Sequence, residues 1–532
     1  MSSYGQLTTY ARFAVGLRRY LREQATPELG REVIGRLLLE RESNFLTLVR
    51  RAVYDNPVSP YRALLRMAGC EYGDLERLAR TDGLDATLCR LRDAGVFITI
   101  DEFKCRQPII RGSTTIHSEP RSFNNPFLLR SLTTGSSGSR SPGTKTTVNL
   151  DRSRYHALNY TLVFSAHGLT GTPTLLCMPI LPSAAGLAML LQSSKMRVPP
   201  RRWFSPVQSR TIKPALSKRL ATLYVVYAGR LFGAAMPSPE YVSGEHTQQI
   251  VEALNAVLRE GNGCIVYASP NLSVRICQGA RAFGRSLTGA TFIAGGEPLT
   301  VAKRKEIESV GARVIGQYAF AECGIVGFGC AGETHAADDT HLIRSSLAVI
   351  QRRRETPFGG GSVDAFLFTS LLDKTPKILL NAESGDYGSI ETRMCGCELG
   401  TLGFVQHLHT IRSFDKLTGE GMTFVGTDMV RIIEELLPTR FGGCSTDYQM
   451  VEAEDGKGQT RLYVLVSPAV GEVNDGEVVD CILSELRKGS DTNRMMAEVW
   501  RQGGTLQVLR QQPRLTRGGK LLSLHVMKTP PV

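Results

Sequence analysis

The sequence predicts an α/β protein with a helical N-terminal segment, a large part built on α/β sheets, and a small α+β unit at the C-terminus. Three patterns carry this. Over roughly the first hundred residues, apolar side chains recur at three- and four-residue spacing, the period of a helix face. From Val148 onward, short apolar runs alternate with helical patterns, as strands and helices do in a layered sheet. After Asp415 the pattern shifts to FVGTDMVRIIEELL, RLYVLVSP and VVDCILSELRK. These shifts place boundaries at 1–110 for the helical segment, 111–414 for the rest of the large domain and 415–532 for the small one.

Taken in order, FAVGLRRYLREQ, REVIGRLLLERESNFLTLVRRAV and DATLCRLRDAG read as helices. YTLVFSA, ATLYVVYAGR, CIVYAS, ATFIAGG and ARVIGQYAF read as strands, with QQIVEALNAVLRE and VAKRKEIESV as helices. The longest apolar run, Leu175 to Leu191, is interrupted by Pro179 and Pro182 and is too short for a membrane span, so it reads as buried strand and helix. QRRRETPFGGGS reads as a solvated turn, and no repeat of 20 to 50 residues is visible. Loops at the strand ends of such a sheet are the expected site of ligand binding.

A chain of 532 residues with 42% apolar content can bury a sizeable core and normally forms more than one domain. Its twelve cysteines are too sparse for a disulfide scaffold, and no charged-then-apolar leader precedes the first helix, so a reducing cytoplasm is the expected location. The formal charge of +13 is spread along the chain rather than clustered with aromatics, which argues against nucleic acid as a partner. It suits the steering of anionic small molecules or an acidic protein.

The segment SLTTGSSGSRSPGTK, residues 131 to 145, cannot fill a core. Gly135, Gly138 and Gly143 allow its backbone N–H groups to converge, and Thr133, Thr134, Ser136, Ser137 and Ser139 add hydroxyl donors. Composition alone fits a flexible linker equally well. Arg140 and Lys145 favour a polyphosphate, because a linker does not need cations at its end. The segment is neither the Gly-x4-Gly-Lys-Ser/Thr loop nor Gly-x-Gly-x-x-Gly.

TTGSSGSR resembles the phosphate-binding signature of the adenylate-forming superfamily, the acyl-CoA synthetases and their relatives, with Arg140 where proline is usual. Other signatures follow in that family's order. Gly295, Gly296, Glu297 and Pro298 (AGGEPLT) resemble the adenine-side loop of its phenylacetate-CoA ligase-like branch, and Gln317 to Glu322 (QYAFAE) resembles its Tyr-Gly-x-Ser/Thr-Glu. Asp386 in ESGDYG resembles the ribose-binding aspartate, Arg412 and Asp415 the hinge segment, and Lys520 in LTRGGKLLS the mobile lysine. Ala319 and Ala321 replace the usual Gly and Ser/Thr, which deletes a hydroxyl, and Phe414 stands where a first hinge aspartate is expected.

The resemblance implies an enzyme that joins a carboxylic acid to ATP as an acyl adenylate, releases pyrophosphate, and passes the acyl group to a thiol, most simply CoA. A carrier protein or an amine is the alternative acceptor, activation of another oxyanion the alternative chemistry, and a nucleotide-binding non-enzyme the reading from a different class; a homodimer is left open. Lys520, Glu322 and Thr134 would be catalytic, with Lys520 on the α-phosphate and carboxylate oxygens and Glu322 on Mg²⁺. Thr133 to Gly138, Gly296, Glu297, Pro298, Gln317, Tyr318, Asp386 and Arg412 would hold the nucleotide. Gly295, Tyr318 and Ala319 would lie near the acid, and Asp415 would be the hinge of a mobile small domain. Crowding of negative charge in such a reaction demands fixed donors and cations, since one opposed charge at about 4 Å is worth roughly 4 kcal/mol at an effective dielectric near 20.

Cys330 and His335 (CAGETH), with Cys395 and Cys397 (MCGCEL), offer three thiols and an imidazole, a four-ligand complement for structural zinc. The same branch carries a Cys followed by His and an acidic pair, matched by Cys330, His335, Asp338 and Asp339. Cys323 competes as a ligand, and His407 or His409 competes with His335.

Overall fold

A computed structural model describes residues 13, 15–128, 131–135, 145–180, 185–205, 216–242, 247–296, 298–355, 362–413, 418–419, 422–423, 427–454, 460–488, 497, 500–501, 504–515 and 521–527. Ser136, Ser137, Gly138, Glu297, Asp415 and Lys520 lie outside these residues.

Helices α1 (Pro27–Leu39), α2 (Arg41–Val49), α3 (Pro60–Met67), α4 (Tyr72–Asp82) and α5 (Leu84–Asp93) form the N-terminal segment. Pro27 begins α1, where its missing N–H costs nothing, and the Thr26 hydroxyl accepts from Leu29 N at 3.2 Å. Two short hairpins follow: β1 (Ile109–Arg111) with β2 (Thr114–Ile116), then β3 (Ser131–Gly135) with β4 (Lys145–Asn149). Helix α6 (Leu150–Ala166) begins at Asn149, whose side chain accepts from Arg152 N.

Six mutually parallel strands come next: β5 (Thr174–Cys177), β6 (Trp203–Ser205), β7 (Pro239–Tyr241), β8 (Cys264–Ala268), β9 (Ala290–Gly295) and β10 (Arg313–Phe320). Between them run α7 (Ala185–Lys195), α8 (Leu216–Leu231), α9 (Gln248–Leu258), α10 (Pro270–Ala282) and α11 (Val301–Glu308). Strands β11 (Gly324–Gly329), β12 (Thr340–Leu342), β13 (Leu347–Glu355), β14 (Ser362–Ser370), β15 (Ala382–Thr392) and β16 (Gln406–Ser413) extend the same sheet with antiparallel pairing. The resulting 12-stranded order is β13-β14-β15-β16-β12-β11-β10-β9-β8-β5-β6-β7. The expected α/β class is therefore what the chain adopts.

Both faces of the parallel half are covered, which is why its strands read as continuous apolar runs. In β8, Ile265 and Tyr267 pack with α6 and α7, whereas Cys264, Val266 and Ala268 pack with α9 and α10. Helices α2 to α5 cover the antiparallel half, with Phe45, Leu64 and Leu88 against Val349, Phe366 and Phe368. Among the described residues, no helix is long and apolar enough to cross a membrane.

Three local expectations are corrected. YTLVFSA lies inside α6 and ATLYVVYAGR inside α8, so both are helices rather than strands. Helix α6 is buried on nearly every side, so no polar stripe marks its period and its aromatic and β-branched residues mimic a strand. The QRRRE of the expected turn continues β13, paired with β14 from Gln351↔Phe366 to Glu355↔Ser362.

After two short strands, β17 (Thr418–Gly419) and β18 (Met422–Thr423), the C-terminal unit folds around β19 (Tyr448–Glu454), β20 (Thr460–Val466), β21 (Leu506–Arg510) and β22 (Leu524–Val526), in the order β21-β20-β19-β22. Helix α12 (Asp475–Arg487) buries Val478, Ile482 and Leu486 in the same core as Met450 and Val464. A buried ion pair ties this unit to the large sheet. Lys303 Nζ on α11 donates to Glu434 Oε1 at 2.9 Å and to Pro298 O at 3.2 Å, and the Thr300 hydroxyl donates to Glu434 Oε2 at 2.7 Å. The Ser523 hydroxyl donates to the same carboxylate, and both charged side chains are 1% exposed.

Removing one member of such a pair leaves the other charge buried and uncompensated. Glu434→Leu should therefore destabilise the chain by about 3–5 kcal/mol, whereas Lys303→Met with Glu434→Leu should recover most of the loss. Urea midpoints followed by circular dichroism on both variants check this.

Candidate functional site

The C-terminal ends of β9 and β10 open into a cleft of about 730 Å³, part of it open to solvent. Its shape starts with a glycine pair. A Cβ on Gly295 would meet Gln317 O at 2.9 Å, so the close pairing of these strand ends needs a bare residue. Gly296, at φ 86°, then turns the chain out of the sheet toward Pro298, a conformation other residues adopt only at a cost.

Gly296, Pro298, Gln317, Tyr318, Ala319, Asp386 and Arg412, all singled out in the sequence, line this cleft. Gly295 packs against Gln317 at its edge. The Tyr318 hydroxyl donates to Asp386 Oδ2 at 2.7 Å. Burial, and then the nearby Asp386 charge, push the Tyr318 phenol well above its ordinary range, so it stays a protonated donor. Asp386 sits on β15 opposite Ser413 of β16, and Tyr387 opposite Arg412.

Sequence reasoning did not place Asp338, Thr340 and Ile411 in the cleft. Asp338 Oδ1 accepts from Thr410 N at 2.9 Å, and its Oδ2 accepts from Ile411 N at 2.8 Å and Arg412 Nη1 at 3.2 Å. Thr410 is held at φ 53°, a left-handed conformation costly for a β-branched residue, and Asp338 bonds its N–H. Arg412 Nη1 also donates to Ile411 O, while its Nε is buried without a hydrogen-bond partner.

The other expected residues are not among those lining this cleft. Thr133, Thr134 and Gly135 end β3, paired with Thr147, Thr146 and Lys145 of β4. Glu322 accepts a hydrogen bond from Lys104 and lines a separate crevice with Ile100, Phe103 and Glu383; Phe320 borders both spaces.

The thiol and imidazole cluster forms, with one change of member. Its four members are Cys330, His341, Cys395 and Cys397, whose ligand atoms all lie within 4.8 Å of one another. His335, the expected imidazole, is instead half exposed, with Nδ1 2.9 Å from Glu391 Oε2. The antiparallel β11–β12 pairing carries His341 back beside Cys330, an approach that local sequence spacing does not reveal. Of the other competitors, His407 Nδ1 lies 2.8 Å from Asp339 Oδ1, His409 Nδ1 lies 3.1 Å from Thr410 Oγ1, and Cys323 is buried in the core beneath α2 to α5.

Several features prepare the cluster for an ion. His341 Nδ1 lies 2.6 Å from Phe404 O, while Nε2 lies 3.2 Å from Cys397 Sγ and 3.6 Å from Cys395 Sγ. With Nδ1–H donated to the carbonyl, the Nε2 lone pair faces the thiols. Gly332 N donates to Cys330 Sγ and Gly400 N to Cys397 Sγ. The hydrogen bond with Cys330, together with His341, pulls the Cys397 thiol far below its ordinary range. A Cβ on Gly332 would fall 2.3 Å from Cys395 O, so the two cysteine loops approach only because that position is bare. Behind the cluster, burial would raise the Asp339 carboxyl, but bonds from His407 and His335 N and the Arg393 charge outweigh it and hold it at about 2.

No family model and no curated protein matches this chain. Among solved structures it is similar to ATP-bound MatB from Rhodopseudomonas palustris, at 12% identity and TM-score 0.43 over 83% of this chain and 75% of that one. It is also similar to the anthranilate CoA ligase AuaEII in complex with anthranoyl-AMP, at 10% identity and TM-score 0.43 over 84% and 75%. A third is an acyl-CoA synthetase (AMP-forming)/AMP-acid ligase II-like protein from Dyadobacter fermentans, at 13% identity and TM-score 0.32 over 74% and 87%. At such identities and TM-scores, the activity of this chain is argued from its own residues.

Asp338 is the acceptor for two backbone N–H groups and a guanidinium at the cleft wall. Asp338→Ala should cost about 2–4 kcal/mol of stability, because these donors are left unpaired, and Asp338→Asn should cost less. Guanidinium chloride unfolding of the three proteins measures the difference.

Proposed function

We propose that this chain activates a carboxylic acid with ATP as an acyl adenylate, releases pyrophosphate and transfers the acyl group to a thiol, CoA. Convergence carries the reading. Residues from the β9 exit loop, β10, β15 and β16, distant in sequence and each matching a separate signature, line one cleft at the carboxyl ends of parallel strands. In this reading Asp386, aligned by Tyr318, accepts from the ribose hydroxyls, and the backbone at Gln317 and Tyr318 flanks the adenine. Arg412, fixed by Asp338, supplies a cation at the ribose and phosphate side. The hydroxyl and amide donors of Thr133 to Gly138 hold the phosphates, and Lys520 neutralises charge on the α-phosphate as the acid attacks.

A magnesium ion supplies charge neutralisation on such phosphates when bound. Glu322 does not fit as its open ligand, since its carboxylate is committed to Lys104, and no step is assigned through the ion. The same pairing, with Ala319 and Ala321, favours a second reading in which the cleft binds a nucleotide or acyl adenylate without turnover.

Cys330, His341, Cys395 and Cys397 fit a structural zinc ion, a closed set of three thiolates and one imidazole. It would pin the loop between β11 and β12 to the 395–397 turn.

A panel of carboxylic acids tested for acid-dependent pyrophosphate release, with and without CoA, examines the reaction directly; the expected result is release for at least one acid. Lys520→Ala should slow adenylation by a factor of about 100 or more, while transfer from a supplied acyl adenylate survives. An equal fall in both half-reactions would remove Lys520 from the assigned role.

Elemental analysis should find about one zinc per chain. Cys395→Ser with Cys397→Ser, and separately His341→Ala, should lose the metal and lower the melting temperature, whereas His335→Ala should keep it.

A further inference from the structure

Helix α8 is apolar on two sides, and only one of them is covered. Val225, Val226 and Ala228 pack into the same core as Trp203 of β6 and Leu187 of α7. On the opposite side Leu223, Tyr224, Tyr227 and Leu231 are 41%, 43%, 59% and 82% exposed. Tyr224, Tyr227 and Leu231 follow Leu223 by one, four and eight residues, which places all four within a third of a helical turn, as one stripe. The stripe exposes roughly 500 Å², a size at which a surface patch on a single chain is often functional.

Charge decides what fits against it. The cations of this chain are spread along it, but the carboxylates are not. Between Asp151 and Glu240 there is no Asp or Glu, while eleven Lys and Arg stand there. That segment supplies α6, α7 and α8, which share one core layer, and the helical residues 15–22, with Arg18, Arg19 and Arg22 exposed, pack into the same layer. Carboxylates from elsewhere answer some of these cations: Glu240 pairs with Arg202, Glu260 with Arg201, and Glu23 with Arg154 and Lys195. Arg230, at the stripe, is not answered. It donates to Met236 O at 2.8 Å and to Ser238 Oγ at 3.0 Å, its guanidinium lies 5.5 Å from the Tyr227 ring, and it pairs with no carboxylate among the described residues. A second copy of the chain would set one arginine-bearing, acid-free face against another, so like charges would meet. An anionic surface meets both the stripe and its cations.

We propose that the exposed face of α8 docks the chain peripherally on an anionic phospholipid surface. Leu223, Tyr224, Tyr227 and Leu231 enter the boundary between headgroups and acyl chains, and Arg230 with its neighbouring arginines meets the lipid anions, the division of work of a helix that lies in a membrane interface. Docking leaves the cleft open. Helix α8 links β6 to β7 at one edge of the sheet, and β9 stands four strands inward from β7, about 20 Å away. The inference does not depend on which reaction the cleft performs.

The test sediments the full chain with vesicles of phosphatidylcholine alone and of phosphatidylcholine with about 30% phosphatidylserine, each at low salt and at about 0.5 M salt. The native chain should bind the anionic vesicles roughly tenfold or more tighter than the neutral ones, and high salt should weaken that binding. Tyr227→Ser with Leu231→Ser should weaken it roughly tenfold or more, because the apolar contribution is lost. Arg230→Glu should weaken it several-fold. Both proteins should keep the native melting temperature, since the substituted side chains are exposed. Leu231→Trp supplies a second measurement: Trp203 and Trp500 are buried, so a blue shift of the added emission on anionic vesicles reports entry of the stripe itself.

Equal association with both kinds of vesicle overturns the inference, and so does association that Tyr227→Ser with Leu231→Ser leaves unchanged, since cations elsewhere on the chain would then account for it. A native chain that stays off the vesicles but is dimeric by sedimentation equilibrium, with the double variant monomeric, assigns the stripe to a second copy and overturns it too. If the double variant does not fold, Leu231→Trp decides: an emission that anionic vesicles do not shift overturns the inference, and a blue shift supports it.

Discussion

Strand β10 is the constraint on which the rest of the architecture turns. One edge pairs with β9 in parallel, and the other pairs with β11 antiparallel, so a single strand joins the parallel and antiparallel halves of one sheet. The two bond patterns have different spacings, and the mismatch falls at its end, where the β10–β11 register shifts between Tyr318 and Ala319. It lies where β9 and β10 part, at the end of their parallel pairing at Gln317 and Gly295. The cleft follows from a sheet that changes its pairing rule, not from a loop laid over a finished surface.

The segment from Cys330 to His341 extends this logic into the antiparallel half. Its ends belong to the thiol and imidazole cluster, and just before His341 it carries two consecutive carboxylates with opposite tasks. Asp338 shapes the backbone of β16 from Thr410 to Arg412 at the cleft wall, while Asp339 gathers His407, Arg393 and the His335 amide behind the cluster. The Asp338 that lines the cleft is thus three residues from the His341 of the cluster.

Much of this was legible in the sequence, for physical reasons that differ from element to element. CIVYAS, ATFIAGG and ARVIGQYAF are short apolar runs bounded by glycine, and they are β8, β9 and β10; VAKRKEIESV has a clear polar face, and it is α11. The cleft residues could be found because their separate motifs follow one another along the chain in the order of the signatures they resemble. The misread elements, α6 and α8, are helices whose apolar content hides the 3.6-residue period. His341 was missed because membership of the cluster depends on strand pairing: His335 is nearer Cys330 in sequence, but His341 lies on the strand that returns to it. Nor does composition show that Lys104 would claim the Glu322 carboxylate, since the two are 218 positions apart.

The buried pair of Lys303 and Glu434 has a consequence for cooperativity. Its carboxylate belongs to the C-terminal unit, its ammonium also bonds the carbonyl of Pro298 at the cleft rim, and its hydroxyl partner Thr300 caps α11. Local opening of the C-terminal unit would therefore strand a desolvated ammonium and leave the Thr300 hydroxyl without its acceptor. Such an opening is disfavoured unless the rim opens with it, so the first turn of α11 and the segment around Glu434 behave as one foldon shared between the two units.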